Sequence, residues 1–185
     1  MNPIFPGALA IILYLIGTGV QIATQGNARR FINFVSVSAV MVHGFANYLA
    51  FFTDIGLNLS IYTMLSVTAL AVVTIILFSN IRRPVESFFV VIFPIAAICI
   101  LLQISSERAY LPRDDLSAGL LSHIFFSILA SGLLTVLAIQ ALILSCCNYA
   151  LRKRNIAFTK KFPPLETIEG LLFEMLAAGL AVLSL

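Results

Sequence analysis

Long apolar runs alternate with short polar interruptions along the chain, and the interruptions divide it into six segments. They cover about 4–23, 31–52, 59–79, 87–104, 116–151 and 167–185. The polar breaks include TQGNARR, TDIG, NIRRPVES and LRKRNIAFTKKFPPLET. A hydrocarbon layer of about 30 Å is spanned by about 20 apolar residues in a helix, and most of these runs reach that length. The pattern predicts an all-α, polytopic transmembrane helix bundle of about six spans, a single membrane domain over 1–185. Pro84 would stop the third helix. Pro94 falls inside the fourth, where a membrane helix tolerates it as a kink. The fifth run is longer than a span requires, so at about 1.5 Å per residue it should tilt or protrude.

Composition agrees with this pattern. The chain is 61% hydrophobic and 10% charged, with a mean hydropathy of +1.06. A soluble domain is nearer half apolar and a quarter charged. No basic stripe with interleaved aromatics suggests nucleic acid. Cys99, Cys146 and Cys147 form no C-x-x-C pair, which argues against a thiol–disulfide enzyme. Cys146 and Cys147 read as packing residues, with juxtamembrane acylation as the weaker alternative. No Lys or Arg precedes the first apolar run, so it is not a cleavable signal peptide.

Charge distribution sets an expected orientation. Arg29, Arg30, Arg82, Arg83, Arg152, Lys153, Arg154, Lys160 and Lys161 fall on one side of the predicted bundle. The other side has only Arg108 and Arg113, among Glu107, Asp114 and Asp115. The positive-inside rule makes the first side cytoplasmic and puts the N-terminus outside. Asp114 and Asp115, next to a helix start, read as caps rather than as a paired-carboxylate site.

The two histidines, His43 and His123, both fall inside apolar segments. Counted from Asp54 and Asp115 at the helical rise, they lie about 16 Å and about 12 Å below the outer markers. Helical spacing puts Ser36, Ala39, Ala46, Asn47 and Ala50 on or near the His43 face, with Val40 bulkier. It puts Gly119, Ser127, Ala130 and Ser131 near the His123 face, beside Leu120 and Phe126. Such stripes either let helices approach closely or leave a slot for a flat ligand. Either histidine alone reads equally well as an interhelical hydrogen-bonding residue. Two at matched depth favour function, because intramembrane ionisable groups are costly. Imidazoles bind haem, copper or zinc. No third protein ligand is evident at that depth, which favours haem, a group bringing four ligands of its own.

Other candidates are thinner. Glu174 in the sixth segment is a candidate proton or ion ligand, though a structural pairing with Lys160 or Lys161 suits it better. Ser60, Thr63, Ser66, Thr68 and Thr74 make the third segment hydroxylic, which reads mainly as interhelical hydrogen bonding. Together they define the alternative function, a small-solute transporter or an accessory membrane subunit.

The order of features resembles the cytochrome c assembly family, in its YpjD-like inner membrane branch related to CcmC and CcsA. The resemblance rests on a His-bearing second segment, IRRP after the third, a His in the fifth, and LRKRNIAFTKKFPPLETIEGLLFEMLAAG. The most specific part is K-x-x-x-x-F-x-x-x-x-PPL-x-x-[IL]-E, which runs here from Lys153 to Glu169. It implies haem b as cofactor, with His43 and His123 as axial ligands of the iron. It further implies a haem-handling role in cytochrome c biogenesis, without catalysis by the chain itself. A bacterial inner membrane location is expected, with the lipid bilayer and other cytochrome c maturation proteins as partners. The chain has no tryptophan, so the Trp-rich motif of CcmC and CcsA is absent. Family members continue beyond the sixth segment, so the resemblance implies a chain short at its C-terminus.

Overall fold

The structure, a computed structural model, describes residues 3–24, 28–53, 56–82, 86–106, 117–153 and 165–184. Six α-helices account for nearly all of them: α1 Ile4–Thr24, α2 Arg29–Phe51, α3 Ile61–Arg82, α4 Phe89–Ser105, α5 Ala118–Arg152 and α6 Leu165–Leu183. Among the described residues five stretches are long and apolar enough to cross a membrane: Ile4–Thr24, Arg29–Phe51, Ile61–Ile81, Glu86–Ser105 and Gly119–Arg152. The sixth apolar segment also forms a helix. Its 19 residues carry Glu166, Glu169 and Glu174, which sets α6 apart from those five.

Helix ends follow from local chemistry. α3 is described as far as Arg82, and Pro84, expected to stop it, lies outside the described residues. α4 continues through Pro94, and a 3-10 turn over Glu86–Phe88 leads into it. The start of α5 is capped by Ser117, whose Oγ accepts from the Leu120 N–H at 3.3 Å. Asp114 and Asp115, expected as caps, lie outside the described residues. Between α2 and α3 a short antiparallel ladder pairs β1 (Phe52–Thr53) with β2 (Gly56–Leu57). Gly56 has φ 117°, a conformation that side-chain-bearing residues rarely adopt, so the tight return depends on it.

Packing sorts the helices into two parts. α1 packs on α2 and α4, and α3 packs on α2 and α4, so four helices close into a ring. α5 leans on α3 from outside that ring, and α6 packs on α5. Tyr14, Ile32, Val73, Ile76, Phe89, Ile92, Phe93 and Ile100 fill the core among the described residues. α1 and α4 approach so closely at Gly17 that an added Cβ would sit 2.7 Å from Phe93 Cε2.

The outer surface is apolar, with Phe5, Phe34, Met41, Phe78 and Ile98 all exposed. The interior holds Gln21, Ser36, His43, Asn47, Thr63, Ser66, Asn80, Gln103 and Gln140. An apolar outside around a partly polar inside is the distribution a bilayer selects. This is a multi-pass membrane protein.

At one end of the ring, Arg29 ties three elements together. Its Nε lies 2.6 Å from Glu86 Oε1, and its Nη2 donates to the Asn80 carbonyl at 3.0 Å. Asn80 Nδ2 donates to Asn33 Oδ1 at 2.9 Å. The start of α2, the end of α3 and the approach to α4 are therefore held together there, and the β1–β2 hairpin lies at the opposite end.

Candidate functional site

The ring holds one continuous polar chain, contributed by three helices. Tyr14 lies midway along α1, His43 and Asn47 are one turn apart on α2, and Ser66 is in the second turn of α3. All four side chains are buried, and His43 is 0% exposed. Tyr14 Oη lies 3.0 Å from His43 Nδ1, and His43 Nε2 lies 3.0 Å from Ser66 Oγ. Ser66 Oγ in turn donates to Asn47 Oδ1 at 2.9 Å.

The donor order follows from that last bond. Ser66 spends its one proton on Asn47, so it must accept from His43. His43 is therefore the neutral Nε2–H tautomer, and its Nδ1 accepts the Tyr14 O–H. Every donor points the same way, from α1 through α2 to α3 and back to α2. Asn47 Nδ2 ends the chain, buried and without a partner among the described residues.

Aromatic rings close the Tyr14 side. The Tyr14 ring meets His43 edge-on at 5.7 Å and Phe93 at 5.1 Å, and Phe93 stacks on Phe89 at 4.7 Å. The small residues expected beside His43 do line the ring interior: Ser36, Ala39, Ala46 and Ala50 are buried with it, and Val40 is half-buried. They permit the close helix approach that puts two side chains, Tyr14 and Ser66, within hydrogen-bonding reach of one imidazole.

His123 is placed differently. It sits in the second turn of α5, exposed, with no hydrogen bond to its ring among the described residues. Its neighbours Gly119, Leu120, Phe126, Ser127 and Ser131 are exposed too, and only Ala130 of that stripe is buried. Burial on α5 becomes regular from Ala130 onward, where Gly132 meets Ala71 of α3 and Leu133 meets Gly179 of α6. Before Ala130 no described side chain of α5 is buried. The structure does not bring His43 and His123 together: α3 lies between α2 and α5, on both of which it packs.

The remaining candidates separate by role. Thr68 and Thr74 donate to the Met64 and Leu70 carbonyls of their own helix, at 2.9 and 2.7 Å. Ser60 and Thr63 share a hydrogen bond of 2.9 Å. The side chain of Glu174, and most of the stretch from Lys153 to Glu169, lie outside the described residues. Among the described residues no three His, Cys, Asp or Glu side chains gather as a metal site. Cys99 and Cys147 are buried free thiols, which suits packing, and Cys146 is an exposed one. Sequence reasoning missed Tyr14, the one tyrosine of the first segment. Its position offered a signal, since membrane tyrosines usually belong at the interface and this one lies mid-helix.

The chain is similar to bacterial proteins named as inner membrane proteins. It is 25% identical to inner membrane protein YpjD of Escherichia coli strain K12, over 189 aligned positions covering 99% of this chain and 72% of the relative. The protein of the same name in strain O157:H7 matches to the same extent. With its membrane-spanning helices, this places the chain as a multi-pass inner membrane protein. No family model matches the chain, and no solved structure matches it.

Proposed function

We propose that the chain is a haem-handling membrane protein acting in cytochrome c biogenesis, with His123 binding the iron in the packed bundle and His43 joining it only on a rearrangement that brings α2 and α5 together. The observation that carries this reading is His123, an exposed imidazole within a membrane helix, with no hydrogen bond to its ring among the described residues. Leu120 and Phe126 flank it at helical spacing and are exposed with it, an apolar surface suited to a porphyrin face. By donor type both histidines fit haem iron, which takes neutral imidazole. As packed, only His123 is free to bind. His43 would have to exchange its bond to Ser66 or to Tyr14 first. The similarity to YpjD and the Lys153–Glu169 motif support the reading, which assigns binding and hand-over of haem rather than a catalysed reaction.

The purified chain loaded with haem is expected to show a Soret band. His123→Ala should abolish it, and His43→Ala should shift it without removing it. A band unchanged in both variants, or none in the wild-type protein, would overturn the assignment.

A further inference from the structure

The polar chain at His43 continues toward the hairpin end of the bundle. Thr63 lies one turn before Ser66 on α3 and is buried, and its hydroxyl is bonded to Ser60 Oγ at 2.9 Å. Asn58 Oδ1 accepts from the Ser60 N–H at 3.0 Å, beside the end of β2. Ser60, Thr63 and Ser66 recur every three residues, so their Cβ atoms are about 5–6 Å apart along one face. Asn47, bonded to Ser66, lies one turn nearer the hairpin than His43. Its unpartnered Nδ2 therefore belongs to the same stretch as the step between Thr63 and Ser66, which no side-chain hydrogen bond among the described residues bridges. A buried amide N–H without an acceptor costs about 1–3 kcal/mol. Water is held where several polar groups of this kind converge. Beyond Tyr14 the file meets Phe93 and Phe89, which have no polar atom in their side chains.

We propose that these residues form a proton-exchange inlet. A water held by Asn47 Nδ2 joins Thr63 to the Ser66–His43–Tyr14 chain, so that His43 exchanges its ring proton with water at the hairpin end. Phe93 and Phe89 close the file on the other side. In the outward half-step the Ser66 hydroxyl turns from Asn47 to the water and gives up its proton there as Ser66 Oγ takes the Nε2 proton, and the Tyr14 proton moves to Nδ1. Ser66 then trades the former ring proton for a deuteron of the water. In the return half-step that deuteron passes to Nε2, a second deuteron from the water passes to Ser66 Oγ, and the Nδ1 proton returns to Tyr14. Two protons have left, two deuterons have entered, and both His43 and Tyr14 are neutral again. The inlet concerns the packed bundle, in which His43 keeps both hydrogen bonds, and it is tested on the haem-free chain.

With two histidines in the chain, ¹⁵N-histidine labelling in lipid bilayers resolves His43, and a His123→Ala background confirms the assignment. After transfer to D₂O, the His43 Nε2–H signal of the wild-type chain should disappear. Thr63→Val keeps the shape of the side chain and removes the hydroxyl, and should slow that loss by about tenfold or more. Thr74→Val removes a hydroxyl bonded only to its own helix and should leave the rate unchanged. The His43 ¹⁵N shifts report whether each variant keeps the tautomer, and Ser60→Ala tests the same step if Thr63→Val does not fold. Exchange at the wild-type rate in both Thr63→Val and Ser60→Ala would overturn the proposal. So would an Nε2–H that persists while hairpin backbone amides exchange. Neither result bears on the Soret band, which tests the haem reading separately.

Discussion

A neutral imidazole inside a membrane has one donor and one acceptor, and burying it is tolerable only if both are used. His43 meets this condition with Tyr14 on one nitrogen and Ser66 on the other. Tyr14→Phe leaves the ring packed against Phe93 but removes the O–H, so Nδ1 becomes a buried acceptor with no donor. The loss should be about 1 kcal/mol, since interhelical hydrogen bonds in membranes average roughly 0.6 kcal/mol and an orphaned partner adds to that. Reversible unfolding in a lipid environment measures the loss, and the Nδ1 ¹⁵N shift should move with it. A shift unchanged in Tyr14→Phe would show that the tyrosine does not donate to His43. That His43 has a special setting was legible from its small-residue stripe. Its partners were not, because sequence tells which face of α2 is buried but not which side chains of α1 and α3 point at it.

Among the elements, α1 and α4 depend most on one contact. Gly17 faces Phe93 so closely that a methyl group at that position would clash with the ring, and Phe93 is itself pinned between Phe89 and Tyr14. The stack has little room to yield. Gly17→Ala should therefore destabilise the ring by about 1–3 kcal/mol, the usual cost of overpacking. Gly19→Ala, with open space around its Cβ position, is the control. An equal effect of the two would mean that helix propensity rather than contact governs the site. Helix positions were readable from apolar runs and their breaks, since each of the six runs contains one of the six helices or most of it. The β1–β2 hairpin was not, since TDIG read only as polar punctuation between two helices. Its two-residue strands have no pattern long enough to distinguish from a turn.

For the whole molecule, the depth of a residue and its place around the bundle are separate quantities. Counting residues at the helical rise estimates the first, and that count put His43 and His123 at comparable depth. Only packing sets the second, and here α3 stands between the two helices that carry them. Orientation belongs with depth, because it depends on charge along the chain. The Arg29–Glu86 pair and the Arg29 bond to Asn80 show that the start of α2 and the end of α3 share one end of the ring. That end has Arg29 and Arg30, and the sequence adds Arg82 and Arg83 after them, so the positive-inside rule predicts that it faces the cytoplasm and the hairpin the outside. With Cys99, Cys146 and Cys147 replaced by alanine, Asn58→Cys should react with a membrane-impermeant maleimide in intact cells. Arg30→Cys should react only after permeabilisation. The reverse pattern would invert the bundle and turn the inlet at Asn58 toward the cytoplasm. Either way the exchange behaviour of His43 is unaltered, because it is set by side-chain contacts within the ring. The labelling therefore decides which compartment supplies the proton.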